Sequence, residues 1–376
     1  MDCTYFDAGR CRSCSFMGLP HVRQVQLKSE QTRELIGEVP GLSWDEPFAG
    51  AESGFRNRAK MVVSGSWKKP SLGILDAEGH GVDLRRCGVI DPAITAALPA
   101  LATFIRIARI APYDVPTRRG ELKHLLVTVN PDGELMVRFV VRSEGAVEQI
   151  RLQLPGLLER LPQLKIVTAN LLPQHVAALE GAEEIHLFGP ATLPMRVGEM
   201  TLRLRPQGFF QTNTEVAAAL YAQAAEWINE VNPASVWDLY CGVGGFALSA
   251  AAPGRRVLGV EISAEAIEGA KAARDEAGLD GVDFLAADAT AFALNSSRAQ
   301  QAELILVNPP RRGLGNKLAS WLQDCSATHI VYSSCNAVTL AQDLQLMPGW
   351  RPVKARVMDM FPQTDHYEVI TLLVRA

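Results

Sequence analysis

Seven cysteines stand at Cys3, Cys11, Cys14, Cys87, Cys241, Cys325 and Cys335. Three fall within twelve residues as C-x7-C-x2-C, and Cys87 follows in an Arg-Arg-Cys-Gly segment. An odd count with no charged-then-apolar leader argues against a disulfide framework; a thiol cluster in a reducing compartment points to a metal centre. On ligand type alone, thiolates at Cys3, Cys11, Cys14 and Cys87 suit zinc or an iron–sulfur cluster equally.

A second constellation lies further on. Asp238-Leu239-Tyr240-Cys241-Gly242-Val243-Gly244-Gly245 follows a strand-like run and opens a helix, and Glu261 ends the next strand-like run, 19 residues after Gly242. Glycines let backbone approach a ligand closely, and a carboxylate at that distance accepts hydrogen bonds from ribose hydroxyls. Gly242-x-Gly244-x-x-Ala247 also fits a dinucleotide fingerprint, so a nicotinamide cofactor stands as an alternative at this point. Two later motifs narrow the choice: Asn308-Pro309-Pro310-Arg311 and Ser333-Ser334-Cys335-Asn336, each ending a strand-like run. Ligands of open α/β sheets bind outside the carboxyl ends of the strands, where Asp238, Glu261, Asn308 and Cys335 all belong. Hydride transfer has no use for a Pro-Pro turn and a thiol there, whereas a methyl donor beside a nucleophile does. Cys325 reads as a core cysteine on a helix, and Cys241 in the glycine loop competes with Cys335 as nucleophile.

The elements that must position these groups divide the chain near residue 205. The first half carries strand patterns at residues 60–66, 125–129, 135–141 and 165–170 and helical patterns at 22–38 and 147–160. That is an α+β accessory region, residues 1–205. The second half alternates strand patterns at 235–240, 257–262, 284–287, 304–307 and 329–333 with helical ones at 214–230, 264–277, 317–325 and 337–346. Such alternation predicts βαβ units and a parallel sheet over residues 206–376, closed by a hairpin at 353–358 and 369–374. Thr212 and Glu215 are placed to form a capping box for the helix entering this domain.

With Phe209-Phe210-Gln211-Thr212-Asn213 and His366-Tyr367-Glu368 added, five ordered motifs resemble the signatures of the RNA uracil-C5 methyltransferases. The resemblance spans essentially the whole chain. It implies a Rossmann-like class I SAM-dependent methyltransferase domain behind the accessory region, with S-adenosylmethionine (SAM) as methyl donor. It implies that Cys3, Cys11, Cys14 and Cys87 hold a [4Fe–4S] cluster. Cys335 would be the nucleophile and Glu368 the base, with Asp359 and His366 competing for the base role. Gln211, Tyr240, Glu261 and Asn308 would bind the cofactor, although many members have Asp where Asn308 stands; Asp288 is a further candidate for the adenine amine. The Phe55–Met61 run is most similar to the branch acting on large-subunit (23S) ribosomal RNA. The transfer-RNA branch, the alternative, generally lacks the cluster cysteines. One branch carries a β-barrel RNA-binding module ahead of its cysteines, and with Cys3 so near the start that module is expected to be absent.

Composition sets outer bounds. Hydrophobic residues at 48% and charged residues at 21% exclude disorder, and a net charge of −4 excludes a polybasic tail. No stretch reaches the ~18 apolar residues of a membrane span. Residues 1–130 hold 17 basic and 14 acidic residues, against −4 for the whole chain. Gly54–Pro70 contains Arg56, Arg58, Lys60, Lys68 and Lys69 with no acid, plus Phe55 and Trp67. Cations neutralise phosphate and aromatics stack on unpaired bases, although a solvated strand face would look the same. Reaching C5 and C6 of one uracil requires the base to leave its stack. The expectation is a cytoplasmic monomer acting on a hairpin loop of 23S ribosomal RNA, with no membrane and no DNA partner. The rival classes are a non-catalytic RNA-binding ribosome-assembly factor and a nicotinamide oxidoreductase.

Overall fold

The computed structural model describes all 376 residues. Two compact units share the chain: Met1–Gly18 with Glu52–Leu193, and Leu19–Ala51 with Pro194–Ala376. A division at residue 205 leaves residues 19–51 with the first region, whereas the structure places them in the second unit.

The second unit is built on an eight-stranded sheet in the order Ser43–Trp44, Trp350–Met358, Glu368–Arg375, His329–Ser334, Leu304–Val307, Ser235–Leu239, Arg256–Glu261, Val282–Ala286. Glu368–Arg375 runs antiparallel to both neighbours; every other pairing is parallel. Strands buried on both faces read as unbroken apolar runs, and Leu304–Val307 is Leu-Ile-Leu-Val, buried throughout. The order reverses at Ser235–Leu239, so the ligand crevice opens at its carboxyl end. The entering helix, Thr214–Val231, is capped by the Asn213 side chain, which accepts from the Val216 amide at 3.3 Å. The Thr212–Glu215 capping box does not form, because Glu215 instead accepts from the Ala51 amide at 3.1 Å.

The helix His21–Ile36 explains where residues 19–51 belong. Its buried residues are Gln24, Lys28 and Thr32, a polar stripe at i, i+4, i+8. Gln24 Nε2 donates to Gln363 Oε1 at 3.1 Å, Lys28 Nζ to Asp359 Oδ1 at 2.5 Å, and Thr32 Oγ1 to the Tyr367 hydroxyl at 2.9 Å. The stripe therefore grips the segment that leads into Glu368.

The first unit carries a seven-stranded sheet in the order Gly81–Asp83, Lys69–Leu75, Arg58–Ser66, Leu122–Val129, Leu135–Val141, Leu164–Leu171, Glu183–Phe188. The helices Pro92–Ile107 and Glu144–Arg160 bury Leu98, Leu101, Phe104 and Ile150 in one core with Met61, Val127 and Phe139 of the sheet. No helix is long and apolar enough to cross a membrane.

Both Lys28 and Asp359 side chains are fully buried. Removing one partner strands a charge in the interior, so Lys28→Ala should lower unfolding free energy by about 3 kcal/mol or more. Lys28→Met with Asp359→Leu should recover most of that in urea titrations.

Candidate active site

The crevice begins with the glycine loop. Tyr240, Gly242 and Gly244 have φ of 68°, 54° and 86°, so the chain turns through the left-handed region three times in five residues. A side chain at Gly245 would meet the Tyr221 ring at 2.4 Å, so that position tolerates only glycine. Glu261 fixes the loop, accepting from the Gly242 amide (3.2 Å) and the Ser263 amide (3.0 Å). Each carboxylate oxygen keeps a free lone pair for a ribose hydroxyl. Tyr240 lends its backbone to the loop, while its hydroxyl lies 3.3 Å from Thr290 Oγ1. Asn308 follows the neighbouring strand, with its amide on the Leu239 carbonyl at 3.3 Å. Gln211 is buried just ahead of the Asn213 cap, beside exposed Phe209 and buried Phe210. Asp288 accepts from the Ala291 amide at 2.7 Å, capping Ala289–Asn295.

Asp238 adds a group that motif reading leaves without a role. Its carboxylate is wholly buried and neither oxygen makes a hydrogen bond of ordinary geometry. Burial pushes its pKa up to about 8, with the Ala247 amide pulling the other way and Glu261 adding to the rise. A buried carboxylate so poorly supplied with donors, at the start of the glycine loop, fits a ligand that brings a cationic head. SAM has one in its amino and sulfonium groups, so the residues present suit that donor.

The second half of the site is a thiol and a carboxylate. Ser334 pairs with Val369 in the antiparallel ladder, so the next position brings Cys335 beside Glu368. Glu368 is 2% exposed and accepts from Ser333 Oγ at 3.3 Å. Burial pushes its pKa up to about 8 against that hydrogen bond. Cys335 is pushed up to about 11 by burial and by Glu368, while the Arg311 guanidinium, within hydrogen-bonding reach, lowers it. The Pro-Pro-Arg turn is pinned to the Cys335 loop, since the Arg311 carbonyl accepts from Asn336 Nδ2 (3.2 Å) and Thr339 Oγ1 (3.4 Å). The Arg311 guanidinium also donates to His366 Nδ1 at 2.8 Å. Tyr221 lies between the two halves; its hydroxyl pKa is raised by burial and by both Asp238 and Glu368.

The competing groups are otherwise engaged. Asp359 is held by His21 Nε2 (2.7 Å) and Lys28. Cys241 is buried, its Sγ only 2.9 Å from where a Cβ on Gly259 would stand. Cys325 is buried and donates to the Leu322 carbonyl.

Within the first unit, Cys3, Cys11, Cys14 and Cys87 are half-buried free thiols. Cys14 is pushed up to about 11 by burial and by Cys87, Cys11 and Cys3, which places the four in mutual electrostatic reach. No group of three or more His, Cys, Asp or Glu side chains stands at metal-holding spacing.

The sheet, with its single reversed strand, is the α/β fold of SAM-dependent methyltransferases. The solved structure of the Pyrococcus abyssi tRNA (uracil-54, C5)-methyltransferase with S-adenosyl-L-homocysteine superimposes with a TM-score of 0.81, covering 97% of this chain and 85% of that one at 24% identity. The family model for tRNA (uracil-5-)-methyltransferases matches residues 188–376. The chain belongs to the SAM-dependent RNA uracil-C5 methyltransferases. Within them it is 48% identical to a Cronobacter sakazakii protein and 46% identical to an Escherichia coli protein, each over 100% of both chains. Both carry the name 23S rRNA (uracil(747)-C(5))-methyltransferase RlmC.

Glu368 gives a stability signature. Its folded pKa lies above the ordinary carboxylate value of 4.5. The native state therefore keeps a proton that the unfolded chain releases, and stability falls as pH rises from about 4.5 to 8. Glu368→Gln should be more stable than wild type at pH 8.5, by on the order of a few kcal/mol. The advantage should vanish near pH 4.5, as read from melting curves without SAM.

Proposed function

We propose that this protein methylates C5 of a uridine in 23S ribosomal RNA, with Cys335 as nucleophile and Glu368 as base. The observation that carries the reading is the ladder register that brings these two side by side at the carboxyl edge of a methyltransferase sheet. The full-length relatives named for uridine 747 support that target. SAM supplies the methyl group. Gln211, Tyr240, Glu261 and Asn308, with Asp238, would hold it.

The Cys335 thiolate adds to uracil C6, and the electron pair moves onto C5 and O4. C5 would take the methyl group from the SAM sulfonium, the sulfur–methyl bond breaking to leave a neutral thioether. The Glu368 carboxylate then removes the C5 proton, the C5–C6 double bond re-forms, and the Cys335–C6 bond breaks. Arg311 favours the thiolate that the first step needs. Both catalytic groups act deprotonated and both are shifted up, so methylation should rise with pH through about 8.

The Cys3, Cys11, Cys14 and Cys87 set is read as holding a [4Fe–4S] cluster. The neighbouring thiols raise the pKa of Cys14, a repulsion that a polycation would relieve. No step of methyl transfer needs it, and a structural duty suits it best. Anaerobically prepared protein should be brown and contain iron and sulfide, both lost in Cys14→Ser; colourless, zinc-loaded protein would overturn this. The protein is further read as a cytoplasmic monomer acting on a flipped uridine in a hairpin loop.

RNA bearing 5-fluorouridine at the target should form a stable adduct that peptide mapping places on Cys335, and none with Cys335→Ala. Glu368→Gln should accumulate the methylated covalent adduct on ordinary RNA and lose turnover by about a hundredfold or more. An adduct elsewhere would overturn the assignment. Mass spectrometry of ribosomal RNA from a deletion strain should show the missing methyluridine, and loss confined to transfer RNA would redirect the substrate.

A further inference from the structure

The basic run Gly54–Pro70 is not one surface. Arg58 is largely buried, donating to Thr128 Oγ1 at 3.1 Å, and Arg56 faces Cys14. Lys60 is exposed in mid-strand, opposite Leu126, and the rest of what stays outside is the tip of the hairpin joining Arg58–Ser66 to Lys69–Leu75: Trp67 half-exposed, Lys68 and Lys69 exposed.

The sheet register shows what this tip meets. Arg58 pairs with Thr128 and Val62 with His124, so the strand leaves the ladder towards Gly120. Leu122 pairs with Val141, which brings Arg142 to the same end. The loop Asp114–Gly120, carrying exposed Arg118 and Arg119, closes that end. The helix Pro92–Ile107 also finishes there and delivers Arg109, whose guanidinium carbon lies 5.8 Å from the Trp67 ring centre, with Lys68 Nζ at 5.4 Å. A second aromatic repeats the arrangement: Tyr113 has Lys123 Nζ at 4.9 Å and the Arg142 guanidinium at 5.2 Å.

The acids at this end are tied up. Asp114 accepts from the Thr117 amide and hydroxyl, and Glu121 accepts from Ser143 Oγ at 2.7 Å. Glu144 stands exposed beyond them. Arg109 and Arg118 are both held at positive φ, 53° and 56°. Strained backbone outside glycine collects at functional surfaces.

We propose that this end of the seven-stranded sheet is an anchor for single-stranded RNA. Trp67 is the base-stacking platform, and Lys68, Lys69, Arg109, Arg118 and Arg119 contact phosphates. Two stretches distant in sequence, 67–69 and 109–119, converge to make it, with an aromatic between cations and few free carboxylates, which is the chemistry of a nucleic-acid backbone site. The inference rests on the RNA methyltransferase reading above and names where that enzyme grips its substrate.

The test measures RNA binding and methylation on one hairpin RNA, using the whole protein. Lys68→Glu/Lys69→Glu and Arg118→Glu/Arg119→Glu should each weaken binding at low salt by roughly ten-fold or more. Each should also flatten the log Kd against log salt slope by about 1.4, the value for two lost single-strand phosphate contacts. Trp67→Ala should weaken binding by roughly ten-fold, one lost stack, with little change in slope. KM for RNA should rise while kcat at saturating RNA stays within about two-fold. The control, Arg160→Glu/Lys165→Glu, makes the same charge change at the opposite end of the sheet, where Leu135 pairs with Leu164, and should leave Kd near wild type. Unchanged Kd and slope in both charge variants, or an equal loss in the control, would overturn the anchor. A wild-type enzyme that binds RNA but methylates no uridine would instead overturn the proposed function.

Discussion

One reversed strand governs the candidate site. In a parallel sheet every strand ends at the same edge, so only carboxyl-terminal residues can face a ligand there. The antiparallel strand Glu368–Arg375 brings its first residue to that edge, one ladder step past the Ser334–Val369 pair. A thiol and a carboxylate thereby become neighbours, Glu368 on the strand itself and Cys335 in the bend directly after Ser334. The cost is electrostatic: Glu368 is buried and Cys335 half-buried, burial raises both, and Glu368 raises the Cys335 thiol further. Arg311 offsets part of it, and its own place is secured by Asn336 and Thr339 from the Cys335 loop.

Much of the second unit was legible from residue types. Strands covered on both faces are apolar runs, so Leu304–Val307 is found by composition alone. The glycine loop, Glu261 and the Ser-Ser-Cys-Asn and His-Tyr-Glu motifs stand out because close backbone approach and strand ends demand particular residues. Partners distant in sequence were not legible. Gln24, Lys28 and Thr32 look like a solvated helix face until Asp359, Gln363 and Tyr367 arrive. Asp238 looks like any strand-end acid until its lack of a donor is seen. Likewise, a run of cations in sequence is a poor guide to a surface, since strand alternation sends some inward and register decides which others join them.

Backbone strain follows a similar map. Five non-glycine residues have positive φ: Arg109, Arg118, Asn232, Tyr240 and Gln363. Asn232 simply ends a helix, as asparagine commonly does. Tyr240 lies in the glycine loop and Gln363 in the segment gripped by the first long helix, just before the proposed base. Of the two arginines, Arg109 lies against Trp67 and Arg118 lies within the Asp114–Gly120 loop. Each of these four costs conformational energy that surrounding contacts must outweigh.

The grip of His21–Ile36 on the segment around Asp359 also bears on how the protein is made. The two halves of that contact are separated by 331 positions. At ordinary rates of synthesis the helix leaves the ribosome roughly 15–65 s before its partner exists. Throughout that interval the helix's buried stripe of amide, ammonium and hydroxyl has water as its natural partner. The chain between, Glu52–Leu193, can meanwhile complete its own sheet. The unit carrying the thiol and carboxylate closes last, when the final strand slots between its neighbours, so a prematurely terminated chain holds the sulfur without the carboxylate that would release it from a modified base.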